Sequence, residues 1–186
     1  MKTTITILTV LFTVLFTNLT SAQNFKGNAS ASYGLFSPSI IMQYEASTTN
    51  DRISLGVNMN YYLQNWKGPL FNYFVRGYKS STEEGFFLQA SATIGNLTTL
   101  GDAEEDLIRT IENKRSFVYG GEFGMGRKYL IGKHFTVEAL ITLRVLSRPN
   151  NRYSDGQYNY FIDDQTMWLM SVGTPLGGHI AVGYQF

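Results

Sequence analysis

From Arg52 to Gln64 the chain alternates strictly. Ile53, Leu55, Val57, Met59, Tyr61 and Leu63 fall on one face, and Ser54, Gly56, Asn58, Asn60, Tyr62 and Gln64 fall on the other. A period of two marks a strand with one apolar and one polar face. The pattern returns at His134 to Arg144. There Phe135, Val137, Ala139, Ile141 and Leu143 alternate with Thr136, Glu138, Leu140, Thr142 and Arg144. It closes the chain as well, with Ile180, Val182, Tyr184 and Phe186 set against His179, Ala181, Gly183 and Gln185. These segments run for about 10–14 residues, where an ordinary soluble strand has about five or six. A strand that crosses a bilayer needs roughly 9–11.

Eight strands are expected, over residues 26–36, 39–48, 51–64, 69–80, 85–97, 115–129, 133–147 and 176–186. Their connections sort by length. Thr48 to Asp51, Ser80 to Glu84 and Ile131 to Lys133 are tight, whereas 98–114 and 148–175 are long. With both termini on one side, the three tight turns share that side and both long loops lie opposite. This is the parity of a transmembrane barrel with short periplasmic turns and longer external loops. The other two connections, Asn65 to Gly68 and the one around Ser37-Pro38, are short. The expected fold is all-β, an eight-stranded antiparallel up-and-down transmembrane β-barrel.

The N-terminus sets the expected compartment. Met1-Lys2 is a short positive stretch, Ile5 to Phe16 is apolar, and Thr17 to Ala22 is small and polar. That is the layout of a secretory signal peptide cut before Gln23. The apolar run is too short for a membrane helix, which needs about 20 residues. Residues 1–22 are therefore read as signal peptide and 23–186 as one barrel domain. The chain has no cysteine, so neither an acylated-cysteine anchor nor a disulfide framework is available. Lys2 is the only charge in the leader, so the rest carries 14 basic and 14 acidic residues. A balanced chain gives nucleic acid no basic surface to bind. The 18 glycines and 12 tyrosines all follow Ala22, which suits closely packed strands with aromatic belts.

In a lipid-embedded barrel the polar face lines the lumen, and with eight strands side chains fill it. The expected lumen set is Glu45, Arg76, Glu122, Lys128, Glu138, Arg144 and His179, with Gln43, Asn58, Asn60 and Gln89. Buried charges must pair, so three glutamates against Arg76, Lys128 and Arg144 predict a balanced network that plugs the bore. A gate or proton-sensitive path is the sharper alternative, because intramembrane ionisable groups are often functional. Gly120, Gly124 and Gly126 fall on the same face and are expected to leave room for long charged side chains.

Catalytic and metal signatures are weak. The two histidines, His134 and His179, fall on a turn and a strand and should not meet, against the converging ligands of a zinc site. His179 could face Glu45 or Glu138, but no serine shares its strand and no G-x-S-x-G elbow exists. No cofactor is expected. A lipid-modifying enzyme and a soluble periplasmic barrel with an apolar ligand stand as the alternatives. Residues 98–114 read as a short loop helix that Asp102 caps, with Glu105 three residues on. Its acidic start lacks the spacing of an EF-hand calcium loop. Residues 148–175 are rich in Asn, Asp and Tyr, which suits an adaptable binding surface. Trp168 and these tyrosines are otherwise expected in an interfacial aromatic belt.

Gly177 to Phe186 (GGHIAVGYQF) resembles the terminal strand of outer-membrane barrels, with Ile180, Val182, Tyr184 and the final Phe186 on one face. The resemblance implies that barrel-insertion machinery reads this strand. Gly120 to Glu138 (GGEFGMGRKYLIGKHFTVE) resembles the Gly-rich strand, turn and following strand of OmpA/OmpX-like small barrels. Asn72 to Gly95 (NYFVRGYKSSTEEGFFLQASATIG) is similar to an uncharacterised small-barrel family frequent in Bacteroidota. These resemblances imply a barrel in the outer membrane of a Gram-negative bacterium, in contact with outer-membrane lipid; turn parity puts both termini on the periplasmic side, and a monomer is expected. The resemblances bring no catalytic motif. The expected role is structural, or interaction with an extracellular ligand or surface partner through loops 98–114 and 148–175.

Overall fold

The structure, a computed structural model, describes residues 26–63, 66–99, 115–147, 168–169 and 172–186. The expected signal peptide, residues 100–114 of the expected loop helix and most of 148–175 lie outside these residues, while 98–99 are strand and not helix. Eight strands follow one another: β1 (Gly27–Gly34), β2 (Ser39–Ser47), β3 (Ile53–Tyr62), β4 (Trp66–Tyr78), β5 (Gly85–Thr99), β6 (Arg115–Ile131), β7 (Phe135–Leu146) and β8 (Leu176–Gln185). Each pairs antiparallel with its sequence neighbour, and β1 pairs with β8 to close the barrel. At the seam the Gly27 and Phe186 backbones exchange two hydrogen bonds, of 3.0 and 2.9 Å. Closure leaves no unpaired sheet edge.

Alternation decides what is inside. Ser54, Asn58, Asn60 and Tyr62 are buried, while Ile53, Leu55 and Tyr61 from the same strand are exposed. Among the described residues 20 polar or charged side chains are buried against 14 hydrophobic ones, and 31 large hydrophobic side chains are exposed. A water-soluble fold has the opposite arrangement, and its surface seldom carries contiguous apolar patches this extensive.

Three turns lie at the end that holds both termini. In the turn after β2, the Asn50 side-chain oxygen accepts the Arg52 N–H at 2.9 Å and its carbonyl accepts the Ile53 N–H at 2.9 Å. Gly132 takes a left-handed φ of 68° between β6 and β7, which a glycine adopts without a Cβ penalty.

The strands match their expected positions, with one informative extension. β4 begins at Trp66 rather than residue 69, so Pro69 lies within a strand. Proline cannot donate to a ladder, and the β4–β5 register passes from Lys67↔Thr98 to Leu70↔Gly95 without a pair at Pro69. On the other side Pro69 still lies opposite Tyr61.

Candidate functional site

The bore carries the charge. Glu45 near the end of β2, Arg76 near the end of β4, Lys128 near the end of β6 and Glu138 near the start of β7 converge at the end that holds the termini. Strand direction and register put them there, since each strand reaches that end with its inward parity on the charged residue.

Arg76 is the centre and is fully buried. Its Nη1 donates to Glu45 Oε2 at 3.0 Å and to Glu138 Oε2 at 2.7 Å. Its Nη2 donates to Glu138 Oε1 at 2.7 Å and to Gln43 Oε1 at 3.3 Å. Its Nε donates to Gln89 Oε1 at 2.8 Å. All five guanidinium protons thus have an acceptor, the condition under which a buried arginine is tolerated.

Glu45 is equally saturated. Oε1 accepts from Ser54 Oγ and Tyr78 OH, both at 2.5 Å, and Oε2 accepts from Arg76 and from Lys128 Nζ at 2.5 Å. Lys128 also donates to the Thr82 carbonyl at 3.1 Å. Two carboxylates face two cations, so the cluster is neutral and rigid. Arg76 has no proton left over and each Glu45 oxygen has two donors, whereas Lys128 uses two of its three protons.

Two phenylalanine rings lie beneath the guanidinium carbon. That carbon lies 4.6 Å from the Phe74 ring centroid and 4.2 Å from that of Phe87. Cation–π contacts of this kind strengthen when desolvated. Both rings rest on glycines of the neighbouring strand. A Cβ on Gly56 would lie 2.2 Å from Phe74 Cζ, and one on Gly126 would lie 2.4 Å from Phe87 Cζ. Phe74 faces Gly56, and Phe87 faces Gly126, in the ladder register. The space at Gly126 is therefore filled by an aromatic ring. At Gly124 it is filled by Thr142 and Leu140, and at Gly120 by Leu146. At none of the three glycines does a charged side chain come nearest to where a Cβ would lie.

Glu122 and Arg144 stand apart from this cluster. They are ladder partners on β6 and β7, yet among the described residues no ion pair at salt-bridge distance joins them. Arg144 donates to the Thr174 carbonyl at 2.8 Å, Tyr62 OH at 2.9 Å and Ser37 Oγ at 3.0 Å. It therefore knits the opposite mouth. The six expected members thus divide into a joined group of four and a separated pair.

His179 Nε2 lies 3.4 Å from Glu138 Oε1, inside the bore, and His134 stacks on Tyr184 at the terminal end. The two histidines do not converge, and no cluster of metal-ligating side chains occurs among the described residues. Trp168 departs from expectation. It is buried, and its ring meets Trp66 edge-on at 5.2 Å. With Tyr62, Leu70, Leu97, Val118 and Val172 it forms an apolar cluster at the loop-side mouth. The exposed belt position expected for it is therefore incorrect. Trp66 at the start of β4 offers a large ring to bury, and the last stretch before β8 brings Trp168 onto it.

The functional positions that alternation alone did not single out are Ser54, Tyr78, Phe74 and Phe87. Parity with Arg76 already puts Phe74 and Tyr78 on the inner face, and the glycines opposite the two phenylalanines were the remaining signal. Comparison with family models, with curated proteins and with solved structures found no match.

Proposed function

We propose that this protein is an integral outer-membrane β-barrel with a plugged, non-conducting lumen. The observation that carries the reading is the charge-free apolar belt. Between the levels of Lys67 and Arg127 no described outward-facing residue is charged. Phe117 and Met125 bound the charge-free run on the outer face of β6, about eight residue steps apart; with ~3.4 Å per residue and a strand tilt of ~40°, they span roughly 21 Å. That is close to the ~25 Å height of the lipid-facing band of bacterial barrels. Aromatic side chains rim it on both sides: Tyr33, Tyr61 and Tyr119 toward the loops, and Tyr129, Phe135 and Tyr184 toward the termini. Arg127 lies 4.7 Å over the Tyr129 ring, at the level where a charged head would meet lipid headgroups.

In this reading both termini are periplasmic and loops 98–114 and 148–175 are external. The role is structural or one of surface interaction, in an OmpA/OmpX-like monomer. Ile180, Val182, Tyr184 and Phe186 are all exposed on the outer face of the closing strand. Their exposure suits recognition by barrel-insertion machinery before burial in lipid. The buried position of His179, beside an arginine-held Glu138, argues against its use on a lipid substrate outside the wall.

Membrane fractionation tests the reading. The protein should stay with outer membranes through carbonate washing and change gel mobility on boiling. Release by carbonate would point to a soluble periplasmic barrel instead. Planar-bilayer recording tests the plug, and a large stable conductance would refute it. An altered lipid profile on overexpression, lost in His179→Ala, would favour the enzyme alternative.

A further inference from the structure

Between the charged plug and the aromatic mouth lies a cavity of about 30 Å³. Asn58, Asn60 and Asn72 line it, with Glu122, Arg144 and His179. The Oδ1 atoms of all three asparagines are buried and have no hydrogen-bond partner within the protein. Asn72 is 1% exposed. A buried acceptor left without a donor costs about 1–3 kcal/mol, so three together call for donors from a guest.

Size and charge together define that guest. One water needs roughly 10–15 Å³ measured this way, so the cavity has room for about two. Among the described residues the bore is already balanced, because Glu45, Glu122 and Glu138 match Arg76, Lys128 and Arg144. A cation or an anion would upset that balance, whereas water is neutral and both donates and accepts. Water also explains the separated pair. Glu122 and Arg144 both line this cavity without touching, and a bridging molecule gives the carboxylate its donor.

We infer that the cavity is a binding site for an ordered cluster of about two water molecules, which bridges Glu122 to Arg144 and satisfies the asparagine oxygens. A high-resolution crystal structure of the full barrel in detergent tests this, with a parallel rubidium soak read by anomalous scattering. The expected result is ordered water within hydrogen-bond distance of the Glu122 carboxylate and at least one asparagine oxygen. A dry cavity, direct contact between Glu122 and Arg144, or a rubidium peak in the cavity would each overturn it. Asn72→Leu should expel at least one of these waters while the boiled and unboiled forms still differ in mobility. Should that variant fail to fold, Asn58→Ser, which enlarges the space, should gain a water, and an unchanged water count would count against the site.

Discussion

Arg76 and Glu138, 62 residues apart in the chain, meet inside the barrel in a two-pronged ion pair whose two bonds are both 2.7 Å. The planar fork of arginine matches the two carboxylate oxygens, a fit lysine cannot reproduce. The pair joins β4 to β7 across the bore, and its remaining donors reach β2 and β5.

Arg76→Met should cost about 3–5 kcal/mol, the usual penalty when one partner of a buried pair is removed and the other is stranded. Urea unfolding in detergent micelles, followed by tryptophan emission, measures it. Arg76→Lys should lose less, because the charge stays while several acceptors go unfilled. Arg76→Met combined with Glu138→Gln should cost less than the two losses added together. A loss under about 1 kcal/mol for Arg76→Met would mean that the network contributes little to stability.

Gly126→Ala and Gly56→Ala should each destabilise the barrel by about 1–3 kcal/mol, the range for overpacking a filled space. The added methyl meets a phenylalanine ring that lies against Arg76, so the damage passes to the buried ion cluster. Gly77 is the control, because a Cβ there meets nothing within 4 Å. Gly77→Ala should unfold like the parent in the same urea series.

The chain has two tryptophans, and both belong to the mouth cluster. Trp66→Phe leaves Trp168 as the sole reporter. Its emission should be blue-shifted and resist acrylamide quenching, as expected of a ring that is 4% exposed. Red-shifted, quenchable emission would place Trp168 outside the bore. Trp168→Ala should cost about 3–5 kcal/mol, as large-to-small changes in packed clusters do.

At the terminal end, Lys26 pairs with Glu83 on the surface. Such exposed pairs are worth at most about 1 kcal/mol, so Lys26→Ala should barely move the urea midpoint. The Glu83 carboxylate holds the Lys26 ammonium above its ordinary value of 10.5. A raised lysine contributes its stability below the unfolded value and loses it as pH rises through the folded one. The small difference between parent and variant should therefore persist at neutral pH and disappear as pH rises into strong alkali. A difference that vanished near pH 7 would contradict the pairing.

The wall was legible in the sequence because alternation is local: Ile53 against Ser54 already says which faces out. Turn parity was legible for the same reason. The partnership of Arg76 was not, since it joins residues whose distance depends on how the sheet rolls. Arg144 shares the inward parity of Arg76, yet it sits near the far end of β7 and bonds to Tyr62, Ser37 and Thr174 instead. Parity gives the face, but depth along the bore requires the stagger of neighbouring strands. The burial of Trp168 was hidden because its segment lies between strands, where no period constrains it. Pro69 masked the start of β4, because a proline ordinarily stands at the first residue of a strand and here lies three residues inside one, at a gap in one ladder.

Glu45 and Lys128 come from β2 and β6, which stand opposite each other in a ring of eight strands. In a flat sheet the same strands would be four spacings apart, on the order of 19 Å at ~4.8 Å each. Their bond can therefore form only when the sheet has rolled up. Until then both charges lie on one bare, hydrophilic face, which hydrocarbon would reject. For the outer-membrane barrel proposed above, entering a bilayer and curling shut would be coupled, with the tie across the bore as the latch.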